Sequence, residues 1–266
     1  MMKTRTLIFA LFFFGLALPL LAQNPLVGTW QIRNDTTMSI KIITPTHWMV
    51  FTEALKGDSS KFVRSHGGTY TLDDNKYIEH IDIASWDDYG KEKTDFTYKV
   101  SGGKFYQKGT LILGDGTVIP IEEAWQKVVT AKAYPNNPGL GTWNQLSSTY
   151  TNQDGKKESH TKATATRFEI ITPTHMMRIS HRNKKFESAF GGPYTLTGNK
   201  MMPQAAFSYP AFDKKNKVAF TQKVMGDKRY VHGTIIDAEG KLVLTWDDIF
   251  QKVAAKPQMV KPAAKK

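Results

Sequence analysis

The chain has 266 residues, a formal net charge of +12, 40% hydrophobic residues and no cysteine. Without cysteine there are no disulfides and no thiolate metal centres, so each folded unit must be held by its core. The basic residues are scattered, with no basic helix and no aromatic–arginine platform, so they read as solvated surface charge and no specific nucleic-acid partner is expected.

The chain opens with Lys3 and Arg5, an apolar run through residues 7–21, and then Ala22-Gln23-Asn24. That run is too short for a membrane span and ends in a small-residue cleavage site, so residues 1–22 read as a signal peptide. No cysteine follows to take a lipid. The expectation is an exported protein, periplasmic or secreted, with no membrane span.

Residues 23–128 form a first unit of short segments rich in Ile, Val, Thr, Tyr and Phe, punctuated by turn signals. These are Thr44-Pro45-Thr46, Asp73-Asp74-Asn75, Ser101-Gly102-Gly103 and Gly114-Asp115-Gly116. A spacing of ten to twelve residues per strand and turn predicts about eight to ten strands per unit, enough to close a barrel around one small ligand. Residues 129–137, with Pro135, Asn136 and Asn137, read as a linker. Residues 138–253 repeat the pattern, with turns at Thr197-Gly198-Asn199, Gly226-Asp227 and Glu239-Gly240, and residues 254–266 form a basic Pro/Ala-rich tail expected to be disordered.

The two units are copies. Asn24-Pro25-Leu26-Val27-Gly28-Thr29-Trp30 returns as Asn137-Pro138-Gly139-Leu140-Gly141-Thr142-Trp143. Ile42-Ile43-Thr44-Pro45-Thr46-His47 returns as Ile170-Ile171-Thr172-Pro173-Thr174-His175, Gly67-Gly68-Thr69-Tyr70-Thr71-Leu72 as Gly191-Gly192-Pro193-Tyr194-Thr195-Leu196, and Gln126-Lys127-Val128 as Gln251-Lys252-Val253. The numbering offset steps from 113 at Gly28 to 128 at His47, so the insertions fall between motifs, where loops grow on a fixed scaffold.

The Gly-x-Trp of the first strand and the basic residue of the last resemble the lipocalin (calycin) barrels. The ordered set from Ile43-Thr44-Pro45-Thr46-His47 to Glu123-Ala124-Trp125-Gln126-Lys127-Val128 is similar to the lipocalin-like domains of unknown function in exported Bacteroidetes proteins. The resemblance implies an all-β protein of two tandem antiparallel lipocalin-like β-barrels. It also implies that Trp30 under Lys127, and Trp143 under Lys252, close the base of each barrel.

Strand alternation nominates the inward residues. His47, Met49 and Phe51 share a face that stays apolar beyond the histidine, as do His175, Met177 and Ile179, and this face is taken as the barrel interior. Glu79 lies in the apolar row Tyr77, Glu79, Ile81, Ile83, and a carboxylate there must be paired or have its pKa raised. Tyr98 alternates inward with Phe96 and Val100. His47, Glu79 and Tyr98, with His175 in the second copy, are thus the candidate ligand-binding residues, and a buried hydrogen-bonded cluster that fixes the hairpin is the competing reading. In the second copy Pro203 and Gln222 replace Glu79 and Tyr98, so the first copy is expected to be the active one.

No histidine spacing fits a metal site, and no cofactor is expected. A haem site built on His47 or His175 is possible in principle, but the surrounding motifs do not match haem-binding barrels. There is no nucleophile elbow, no cysteine and no phosphate-cradling loop. The expected function is binding of a small, largely apolar molecule. The alternatives are an isomerase or hydrolase using Glu79 as base, and a structural or protein-interaction module with filled barrels.

Overall fold

The structure is a computed structural model that describes residues 24–56, 59–130, 132–204, 206–210 and 215–254. The expected signal peptide, 1–22, and all of the tail beyond residue 254 lie outside the described residues. Among the described residues there is no helix, and two closed eight-stranded antiparallel β-barrels stand in tandem.

The first barrel runs β1 (Gly28–Arg33), β2 (Thr37–Ile43), β3 (His47–Lys56), β4 (Ser59–Asp73), β5 (Lys76–Glu79), β7 (Lys93–Ser101), β8 (Lys104–Ile112) and β9 (Val118–Lys127), with the short β6 (Ile83–Ala84) added to β4. Neighbours in sequence pair antiparallel, and β9 returns to β1 to close the ring. The predicted turn residues make the hairpins. Gly102 and Gly103, at φ 57° and 73°, supply the two left-handed positions of the two-residue β7–β8 turn.

The second barrel runs β10 (Gly141–Asn152), β12 (Ala165–Ile171), β13 (His175–Arg182), β14 (Lys185–Thr197), β15 (Lys200–Pro203), β17 (Lys217–Met225), β18 (Lys228–Ile236) and β19 (Leu242–Lys252). Two accessory strands, β11 (Lys157–Thr161) and β16 (Phe207–Tyr209), pair with β10 and β14. The fifteen-residue insertion that follows Gly-x-Trp in the second copy is the β10–β11 hairpin. It lengthens β10 so that it pairs with β19 from Trp143↔Lys252 to Asn152↔Leu244. In the first barrel only Trp30↔Lys127 and Gln31↔Gln126 pair, so β9 splays from β1 beyond them.

The repeated motifs converge on the closed end of each barrel. Asn24 Nδ2 donates to the Tyr70 hydroxyl at 2.6 Å, and that hydroxyl donates to the Thr44 carbonyl at 2.7 Å. Asn137, Tyr194 and Thr172 repeat both bonds. Trp30 Nε1 donates to Leu26 O and Trp143 Nε1 to Gly139 O, both at 2.7 Å. Lys127 Nζ lies 4.3 Å from the centre of the Trp30 ring, and Lys252 Nζ 5.6 Å from that of Trp143. The arrangement implied by the resemblance is therefore present, with both tryptophans fully buried.

The two barrels press together through the outer faces of β2–β3 and β12–β13. Ile40, Ile42, Met49 and Phe51 of the first form one buried cluster with Phe168, Ile170, Met177 and Ile179 of the second. The contact is reciprocal: Thr29 Oγ1 meets Thr172 Oγ1 at 3.1 Å, and Thr44 Oγ1 meets Thr142 Oγ1 at 2.9 Å. Equivalent residues thus exchange places across the seam, as in an isologous dimer.

The seam corrects one expectation. The apolar face carrying His47, Met49 and Phe51 points outward, and Trp48 and Val50 point into the barrel. These strands are covered on both faces, as buried strands are, so apolarity did not mark the interior.

Candidate functional site

The interior of the first barrel holds a cavity of about 300 Å³ above the packed base. Its floor is built from β2, β3, β5, β8 and β9, whose inward residues include Lys41, Trp48, Glu79, Gln107 and Trp125. Leu111, Leu113, Ile119 and Ile121 form an apolar wall toward the splayed edge of β9. Trp86, in the connection after β6, lines the cavity with its Nε1 donating to Glu92 Oε1 at 2.9 Å.

Lys41 and Glu79, exposed by only 2% and 7%, form an ion pair with Nζ 2.5 Å from Oε1. Lys41 Nζ also donates to Gln107 Oε1 at 3.0 Å, and it lies 5.1–5.5 Å from the ring centres of Trp48, Tyr77, Phe105 and Trp125. Four aromatic faces around one ammonium offset part of its lost hydration. Burial pushes the Glu79 carboxyl above its usual range although Lys41 and Tyr77 pull the other way. Burial, and then the neighbouring Glu79, push the Tyr77 hydroxyl well above its own.

His66 lines the same cavity, edge-on to Trp48. Burial, with Arg64 and Lys41 nearby, holds its pKa down to about 3, so it stays neutral at physiological pH. Its Nδ1 is buried without a hydrogen-bond partner among the described residues.

The four residues nominated from sequence do not assemble. Glu79 lies in the cavity. Tyr98 packs on the first core, its ring 6.3 Å from Tyr77, and burial raises its pKa, but it is not among the cavity residues. His47 sits in the seam, its Nδ1 2.7 Å from Thr46 Oγ1 and its ring 5.0 Å from Phe168. His175 takes the equivalent seam position, Nδ1 2.9 Å from Thr174 Oγ1, and burial lowers its pKa to about 4. The structure therefore separates both histidines from Glu79.

Lys41, His66 and Gln107 were not anticipated. Lys41 alternates with Ile40 and Ile42 and reads as solvent-facing until the seam is known. The available signal was the second copy, where Glu169 stands between Phe168 and Ile170 at the same strand position. Among the described residues no three His, Asp or Glu side chains group so as to hold a metal ion.

The second interior inverts the charge. Glu169, opposite Lys41 in the repeat, is fully buried and held by Arg178 Nη2 at 2.5 Å and by Arg229 Nη2. Burial raises the Glu169 pKa, but the two guanidinium groups outweigh it and hold the value at about 2. Arg229 takes the place of Phe105, as the pairings Val100↔Phe105 and Val224↔Arg229 show, and stacks between Trp143 and Phe250. Pro203 pairs with Tyr194 as Glu79 pairs with Tyr70, so the predicted loss of that carboxylate is seen in the register.

No protein-family model matches the chain, and no curated protein matches it. Among solved structures it is similar to a protein of unknown function from the DUF3598 family of Nostoc punctiforme, at 10% identity and a TM-score of 0.28, over 86% of this chain and 97% of that one. A DNA polymerase sliding clamp from Pseudomonas aeruginosa follows at 8% identity and a TM-score of 0.13, over 91% of this chain and 61% of the clamp. Neither likeness is close enough to carry function. The molecule is defined by its own geometry, as a tandem pair of closed β-barrels, each with a buried ion pair beneath a cavity.

Proposed function

We propose that the protein is an exported, lipocalin-like carrier that binds a small, largely apolar molecule in the first barrel. The observation that carries this reading is the cavity of about 300 Å³ lined by Trp48, Trp86 and Trp125 above the Lys41–Glu79 pair. Concave sites of this size with mostly apolar walls and a few convergent polar groups are the usual form of a ligand pocket. Glu79, Glu92 and Glu123 outnumber Lys41 and Arg64 among its lining residues, so a hydroxyl or amine head is the matching ligand chemistry. Glu79 acting as a base would first have to leave Lys41, which makes binding the better-supported role.

The test is titration of the full chain with octylamine, followed by tryptophan fluorescence and calorimetry. Saturable binding that is abolished by Ile121→Trp, which fills the apolar wall, supports the reading. Absence of octylamine binding, or octylamine binding indifferent to Ile121→Trp, overturns it.

A further inference from the structure

The first copy is the one the sequence marks as active, with the second degenerate or differently tuned; the interior of the second barrel has features of its own that point to a ligand. It holds a cavity of about 210 Å³ whose apolar lining includes Met176, Phe190, Phe220, Ile235, Leu244 and Trp246. An enclosed apolar space of about 150 Å³ already accepts benzene, so this one has room for a short alkyl chain or a single ring.

The polar lining is dominated by donors. Arg167 and Arg178 face the cavity together with Tyr150, whose hydroxyl accepts from Arg167 Nη2. Behind them, Arg178 Nε donates to Glu169 Oε2 at 2.7 Å, and Arg167 Nη1 lies 3.4 Å from both carboxylate oxygens of Asp248. With Arg229, three guanidinium groups share the two buried carboxylates Glu169 and Asp248. An unmatched charge in a low-dielectric interior is costly, so this cluster favours a further anion.

Trp246 is a second, independent indication. Its ring lies over Gly233, where a Cβ would fall 2.0 Å from Trp246 Cζ2, so the missing side chain is what lets the indole lie there. Its Nε1 is buried with no hydrogen-bond partner among the described residues, and Trp246 is itself only 5% exposed. A buried donor without an acceptor is rare and costs stability unless something supplies the acceptor.

We infer that the second barrel is a separate binding site for a small apolar carboxylate, its tail against Phe190, Phe220 and Leu244 and its head within reach of Arg178 and Arg167. This goes beyond the reading of the first barrel, because it assigns the other copy an opposite head-group preference. Arg178 directs Nε and Nη2 to Glu169 and Asp248, and among the described residues these contacts leave Nη1 as its end for a ligand oxygen. Charge-assisted hydrogen bonds of guanidinium to carboxylate are among the strongest a protein makes.

The experiment is calorimetric titration of full-length Ile121→Trp protein, in which the first cavity is filled, with octanoate and with octan-1-ol. The expected result is one equivalent of octanoate bound, at least about tenfold tighter than octan-1-ol, since only the carboxylate engages the arginines. Arg178→Gln should remove that preference, bringing octanoate affinity down to the level of octan-1-ol. If Arg178→Gln does not fold, Leu244→Trp, which fills the cavity and leaves every charge in place, should abolish octanoate binding. Equal affinity for the two probes, no octanoate binding at all, or octanoate binding that survives Leu244→Trp overturns the inference. Failure of octylamine binding in the unmodified chain would bear on the first barrel only.

Discussion

Replacing Lys41 by Met leaves Glu79 as a carboxylate exposed by 7% beneath Trp48, Tyr77 and Trp125, with its nearest cation gone. Breaking a buried pair from one side costs about 3–5 kcal/mol, because the orphaned charge keeps its desolvation penalty. The sign of the pH dependence follows from the Glu79 pKa, which burial already lifts above the ordinary 4.5 even with Lys41 present. Below the unfolded value both states hold the proton and the penalty disappears. As pH rises above it, the unfolded chain releases the proton first, so stability falls until the folded value is passed. The Lys41→Met deficit should therefore be smallest near pH 4 and largest at about pH 7. Urea unfolding followed by tryptophan fluorescence at several pH values measures it. Lys41→Met/Glu79→Leu should recover most of the loss, since an apolar pair of similar volume often matches a buried ion pair. A deficit below about 1 kcal/mol, or one that does not change with pH, would refute the argument that this pair is buried and charged.

The second barrel should respond to pH in the opposite sense. Glu169 is held at about 2, so its contribution is present above the ordinary 4.5 and lost as pH falls toward 2; acid titration of wild type against Glu169→Gln should show a slope that the variant lacks. Trp30→Ala and Trp143→Ala should each destabilise their own barrel by about 3–5 kcal/mol, read by chemical denaturation, because each removes a fully buried ring together with its bond to Leu26 O or Gly139 O. Ile42→Asp places an unpaired charge in the seam, so calorimetric unfolding should show two transitions in the variant and a single coupled one in the parent. His175→Ala should leave octylamine and octanoate binding unchanged in calorimetry, since His175 sits in the seam and lines neither cavity.

Much of the architecture was legible because it is local. Turn chemistry at Gly102-Gly103, Thr197-Gly198-Asn199 and Glu239-Gly240 marks hairpins directly, and the internal repeat makes two barrels out of one pattern. The base was legible too, since Asn24, Tyr70 and Trp30 each lie in a repeated motif whose partners are the other motifs. The interior of β2 and β3 was not. Period-two alternation tells which residues share a face but not which face is inside, and that inference fails where a second barrel buries the outside as well. His47 was misplaced for this reason, and Lys41 was passed over for the same one. The inward placement of Glu79 was legible because Ile78, His80 and Asp82 on its opposite side are more polar than its own row.

The reciprocal threonine contacts have a consequence for divergence between the halves. Joining two mating surfaces in one chain raises the effective concentration of each for the other to the millimolar range for a short flexible connection, so the seam needs little affinity of its own. A homodimer built on the same seam would be obliged to carry identical interiors, and any substitution would appear in both at once. The tethered pair has no such obligation. Thr29 and Thr142, or Ile42 and Ile170, remain matched across the seam while Lys41 faces a barrel of one polarity and Glu169 a barrel of the other. Covalent linkage has kept the symmetry of the outside and released the inside from it.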